Sequence, residues 1–145
     1  MDNQPDEPHP SPLDVDLRIS LWISDSKGVV ERDLDPTSAT EAAIDAGIAG
    51  GSSFTVTFGM GERWLIIAGH EDWLTCTVAP QGTSADKFFD LVGSADPGER
   101  KILLGGQWVS WPRRLLVSRN LVERAARTFR TTGELDRDLV WQPQQ

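Results

Sequence analysis

GGQWVSWPRRLLVSRNLVERAARTFRTTGELDRDLVWQ, residues 105–142, is the stretch whose reading decides the fold. It spells a tight glycine turn, a strand that runs to Pro112, one amphipathic helix and a short terminal strand. Ser118 can accept a hydrogen bond from an otherwise unpaired N–H of the first helical turn. Leu121, Val122, Ala125, Ala126 and Phe129 then recur at helical spacing. Gly133 follows the last periodic residue, where a left-handed backbone is inexpensive for glycine. Arg119, Arg127 and Arg130 occupy the other face, with Arg124 nearby, so the helix should lie on a sheet with its apolar stripe inward.

The preceding sequence supplies that sheet. Val15, Leu17, Ile19, Leu21 and Ile23 alternate with polar residues and Trp22, as expected of a half-buried strand. Asp25 to Gly28 turns, and Val29-Val30 can begin a return strand. Asp35-Pro36-Thr37-Ser38 can open a helix, capped by Asp35 or by a Ser38/Glu41 capping box, that runs to Gly47 or Ala49. A meander follows, with strands Phe54 to Phe58, Arg63 to Ala68 and Trp73 to Val78 separated by turns at 59–62 and 69–72. Lys87 to Val92 reads as another strand, though its paired phenylalanines also allow a short helix. Ile102 to Leu104 pairs with Gln107 to Trp111 across Gly105-Gly106. The expected fold is α+β: a twisted, mainly antiparallel sheet of about six to eight strands with two helices packed on it.

Residues 1–12 contain four prolines and little apolar content, so a disordered tail is expected there, with residues 13–145 forming a single domain. One cysteine excludes an intramolecular disulfide, and no signal sequence or apolar run long enough for a bilayer is present. These features favour the cytoplasm. The net charge is −8, unevenly placed: residues 1–99 carry 18 acidic and 5 basic side chains, whereas residues 100–130 carry 8 basic and 1 acidic. The acidic excess argues against binding a polyanion directly and suits a basic protein partner. Solubility alone is the simpler account of the acids.

Catalytic chemistry is hard to assemble from these residues. His70-Glu71-Asp72 is the one place where histidine neighbours carboxylates, but consecutive turn residues diverge while a zinc site needs three or four converging ligands. Cys76 alternates with Leu74 and Val78, an inert core position. Neither glycine pair belongs to a nucleotide-binding motif. No enzyme activity, metal or cofactor is expected. Six tryptophans stand with no tyrosine. Trp64, Trp108 and Trp141 read as core; Trp22 and Trp73 fall opposite their strands' main apolar rows, and Trp111 precedes a proline at a hairpin edge.

The Gly-Gln-Trp turn, the nearby proline, the Ala-Ala-x-x-Phe helix core, Thr-Gly-Glu-Leu and a terminal strand with Trp together resemble the first-named immunity-protein family of bacterial polymorphic toxin systems. The match spans roughly Gly105 to Gln142; Trp111 directly before Pro112 and the long acidic opening depart from the pattern. The resemblance implies a cytoplasmic antidote that binds a cognate toxin domain, with a nucleic-acid-targeting, cytidine-deaminase-like toxin prominent among the candidates. It would act as a 1:1 occluding inhibitor without touching nucleic acid or membrane. From charge and turn position, Glu31, Asp33, Glu62, Glu71 and Asp72 are the candidate partner-binding carboxylates and Trp73 the candidate anchor. The alternative is a non-enzymatic small-ligand-binding or regulatory α+β module with a tryptophan-lined cleft.

Overall fold

The computed structural model describes residues 17–25, 28–34, 53–80 and 87–144. Its main sheet contains β1 (Leu17–Asp25), β2 (Gly28–Leu34), β3 (Ser53–Met60), β4 (Arg63–His70), β5 (Trp73–Ala79), β6 (Phe89–Leu91) and β9 (Trp141–Pro143), in the order β2-β1-β3-β4-β5-β6-β9. All its neighbouring pairs are antiparallel. A separate hairpin pairs β7 (Glu99–Leu104) with β8 (Gln107–Pro112). A turn of 3-10 helix at Arg113–Leu115 leads to the helix α1 (Arg119–Thr132).

Helix α1 begins and ends where its side chains dictate. Ser118 accepts a hydrogen bond from the Leu121 N–H at 3.4 Å. Gly133 closes the helix at φ 73°, donating its N–H to the Phe129 carbonyl at 2.7 Å. Between these caps Val122, Ala125, Ala126 and Phe129 are buried against β3, β4 and β5. The two alanines let the helix approach closely, and the sheet meets it with Phe54, Val56, Phe58, Leu65, Ile67, Leu74, Cys76 and Val78. Gly69 belongs to this face too: a Cβ there would stand 2.7 Å from Leu74 Cδ2 and 2.9 Å from Phe54 Cζ, so the space is already filled by those side chains.

The segment after α1 is held by one carboxylate. Asp136 Oδ2 accepts from Arg124 Nε at 3.0 Å and from the Thr128 hydroxyl at 2.8 Å, while Oδ1 accepts from the Asp138 N–H at 2.9 Å. The Asp136 carbonyl accepts from the Trp141 indole at 3.0 Å. Helix, loop and terminal strand thereby share one node.

Three expectations need correction. The sheet is divided: among the described residues there are nine strands, in sheets of seven and two. The β7–β8 hairpin stacks on the main sheet instead of extending it, because the free edge of β5 is taken by Val117, bridged to Leu74, and by β6 at Thr77 and Val78. That shared edge also confines β6 to three residues, shorter than Lys87 to Val92. Trp64 is half-buried on the sheet face away from α1, with its ring 5.4 Å from that of Phe88; it does not belong to the cluster under the helix. One α-helix is found among the described residues, and the helix expected between Asp35 and Ala49 lies outside them, as do the tail at 1–12 and Val15. No helix among the described residues is long and apolar enough to cross a membrane.

Phe129→Ala is expected to lower the free energy of unfolding by about 3–5 kcal/mol, measured by chemical denaturation, since it removes the largest side chain that α1 buries. The Asp136 node predicts an acid sensitivity. Partial burial pushes the Asp136 carboxyl up, but the Asp138 N–H, the Thr128 hydroxyl and the Arg124 guanidinium together hold it below its ordinary 3.8. Its stabilising contribution is therefore complete above the unfolded value and is lost as pH falls through the lower folded value. In Asp136→Asn the acid limb of a stability-versus-pH curve should be shallower than in the parent.

Candidate partner-docking surface

Two turns of the meander use the same backbone solution with different residues. At 60–63, Gly61 takes the left-handed conformation at φ 63°; at 70–73, Glu71 takes it at φ 57°. A side chain in that region crowds its own backbone, which is why glycine is the usual occupant. Glu71 is the one non-glycine residue with positive φ among those described. A carboxylate is thus held at the tip of the β4–β5 turn against local backbone preference, and strain of this kind concentrates at functional sites.

The β7–β8 hairpin converges on the same end of the sheet. Gly105 at φ 58° and Gly106 at φ 80° permit its two-residue turn. The Gly106 N–H donates to the Ser53 hydroxyl at 2.8 Å. Ser53 is buried at the start of β3, directly across the ladder from His70. The His70 ring meets Trp108 edge-on, with ring centroids 5.3 Å apart. Further along the hairpin, Arg100 lays its guanidinium 4.1 Å from the centre of the Trp73 ring. Ile102, two residues on, is fully buried beneath the hairpin and outside the α1 cluster. The exposed Glu71-Asp72 turn is therefore flanked by Trp108 and by the Arg100–Trp73 stack.

Trp108 is 65% exposed, which overturns its reading as a core residue. Strand alternation accounts for the difference. In β8, Gln107, Val109 and Trp111 fall on one face and Trp108, Ser110 and Pro112 on the other. Across the ladder Trp111 pairs with Arg100 and Val109 with the buried Ile102, so Trp108 stands off the row that Ile102 seals and meets the main sheet at its end, against His70. The polar company of Trp108 on its own face was the available signal. His70, read only against its neighbouring carboxylates, and Arg100 acquire these roles through the fold, because nothing local shows that the hairpin will bring Trp108 to His70 and Arg100 to Trp73.

Of the candidates from charge and turn position, Glu71, Asp72 and Trp73 share this one turn. Glu62 is exposed at the opposite end of β4; seven steps of about 3.3 Å put the two turns about 23 Å apart. Glu31 stands opposite Trp22 and Asp33 opposite Ser20 in the β1–β2 ladder. Their strand is three positions from β4 in the sheet, about 14 Å away. Trp22, Trp73 and Trp111 are each half-buried.

Little in this arrangement supports bond chemistry. Cys76 is buried, and desolvation, reinforced by the charge of Asp90, pushes its thiol far above the ordinary range. A thiolate is not accessible to it. No group of three or more histidine, cysteine or acidic residues among those described could hold a metal ion. A depression of about 620 Å³, lined in part by Phe89, Arg124, Thr128, Leu135 and Asp136, contains no tryptophan in its wall. What the sheet end offers is an indole beside two carboxylates, a composition suited to contact with another protein.

A family model described as immunity protein Imm1 matches residues 4–143 of the chain. Comparison with curated proteins and with solved structures gave no match.

If Glu71 and Trp108 are kept for something other than stability, replacing them should not harm the fold. Glu71→Gly is expected to raise the unfolding free energy by about 0.5–1 kcal/mol, since it relieves a left-handed side chain. Trp108→Ala should change it by no more than about 0.5 kcal/mol. Thermal and urea denaturation of the two variants test this, and a large loss in either would make the residue structural.

Proposed function

The chain belongs to the immunity protein Imm1 family, and from that premise we propose that it neutralises a cognate toxin domain by covering the toxin's active site in a 1:1 complex. The docking surface is the end of the sheet at Glu71, Asp72 and Trp108. What carries this choice of surface is a single observation: a large apolar side chain, 65% exposed, beside two exposed carboxylates on a strained turn. Trp108 takes the anchoring role, because the Trp73 ring face is already occupied by Arg100.

The partner is a nucleic-acid-targeting toxin, of which a cytidine-deaminase-like enzyme fits the chemistry well. Such an enzyme must present a basic groove to phosphates, and a chain of net charge −8 is drawn to that field while being repelled by nucleic acid itself. Glu71 and Asp72 lie where the phosphates would lie. A pocket that takes a flipped base between apolar walls has the shape to receive an indole. The antidote acts in the cytoplasm by occlusion, without catalysis, cofactor or membrane contact. Glu62, Glu31 and Asp33 contribute at the periphery by long-range attraction.

Co-expression with the toxin domain encoded beside this chain should restore growth and yield a complex that co-purifies. Reversing charge in the double variant E71K/D72K should slow association about tenfold at low salt and flatten its dependence on ionic strength. Stopped-flow measurements across a salt series read both effects. A toxin that still kills, with no complex formed, would refute the antidote reading; unchanged association in the double variant would remove this surface from the interface.

A further inference from the structure

The hairpin ladder has a parity that its sequence does not announce. Leu104 and Gln107 flank a two-residue turn and so form a pair that exchanges both backbone hydrogen bonds. The same state recurs at every second pair, at Ile102 with Val109 and Arg100 with Trp111. The Arg113 N–H donates to the Gly98 carbonyl at 2.9 Å, one step beyond the last pair, in agreement with that phase. Trp108, Ser110 and Pro112 therefore direct their backbone groups away from β7. Among the described residues, β8 pairs with β7 alone. Pro112 has no N–H to offer, and it occupies the position where an outer-edge donor would otherwise be exposed.

The outer edge of β8 thus presents, at Trp108 and Ser110, two complete sets of backbone groups with no partner among the described residues, and both residues are solvent-exposed. Natural sheets usually protect such an edge. Here the protection stops at Pro112, and the part nearest the turn is left open beside an exposed indole. We propose that an extended segment of the cognate toxin adds to β8 as a third strand, with its main chain hydrogen-bonded to Trp108 and Ser110. This rests on the toxin-neutralising reading above and deepens it. Charge selects the occupant: the open half of the edge adjoins Glu71 and Asp72, while Glu99 and Lys101 offset each other further along the hairpin, Arg100 is laid on the Trp73 ring, and Arg113 lies beyond Pro112 where the edge is closed, so the added strand is a basic one. A second copy of this chain would bring a further acidic pair to the same place. Strand addition draws affinity from the backbone, and the indole reads the neighbouring side chain.

Hydrogen exchange of the chain, alone and bound to its toxin domain, tests the proposal at single amides. The Trp108 and Ser110 amides should become protected on binding, while those of Val109 and Trp111, already committed to β7, change little. Ser110→Pro removes one outward donor without removing a β7 hydrogen bond, and should weaken binding about tenfold. Circular dichroism and the retained Val109 protection report whether the hairpin survives the change. A complex that forms while Trp108 and Ser110 exchange as in the free chain overturns strand addition and leaves the antidote reading standing. Absence of any complex overturns both. Protection of these amides in the isolated chain as its concentration rises would make the occupant a second copy and overturn the toxin assignment.

Discussion

Burial of the α1 stripe across β3, β4 and β5 is the constraint from which the rest of the architecture follows. Phe129, Val122 and the two alanines close one face of the main sheet, and the strands supply Phe54, Phe58, Leu65, Ile67 and Leu74 beneath them. A sheet face serves one layer at a time. With that side taken, the β7–β8 hairpin packs against the other side, where it finds Ser53, His70 and Trp73. The position of Trp108 is a consequence of this allocation.

The hairpin is attached by few but specific contacts. Ile102 supplies the apolar seal, the Ser53 hydroxyl receives the turn, and Arg100 covers the Trp73 ring. Two buried donors beneath it, Arg100 Nε and the Trp111 indole N–H, have no protein acceptor. A layer fixed in this way holds its tip at a defined place beside the β4–β5 turn, and a defined tip limits the side-chain freedom lost when a partner docks. The β4–β5 turn carries a carboxylate at its apex despite the strain, where the corresponding turn of the preceding hairpin has Gly61.

On the proposed reading, acidity and aromatic anchoring divide the work. The excess of carboxylates in the first two thirds of the chain acts at long range and governs encounter, whereas the indole and the β8 edge act only on contact and govern dissociation. The basic residues of α1 do not undo this division. Arg119 is paired with Glu123 at 2.6 Å, and Arg124 with Asp136 and Asp138. Paired charges contribute less to the distant field than the count of arginines suggests.

Much of this was legible in the residues. Alternation located β1, β3, β4 and β5 because a half-buried strand must present every second side chain to the core; the caps of α1 were readable because Ser118 and Gly133 act on groups within a turn of themselves. The acidic turn at Glu71 and Asp72 was likewise visible, since turn residues betray themselves locally. What only the tertiary structure decided was which layer covers which face. The separation of the hairpin from the main sheet, the exposure of Trp108, the stacking of Arg100 on Trp73 and the open edge of β8 all depend on residues far apart in sequence meeting in space, from Trp73 with Arg100 to Ser53 with Gly106. Local pattern specifies that a side chain needs a cover or a partner. Which element arrives to provide it is settled by competition among all the faces of the folded chain.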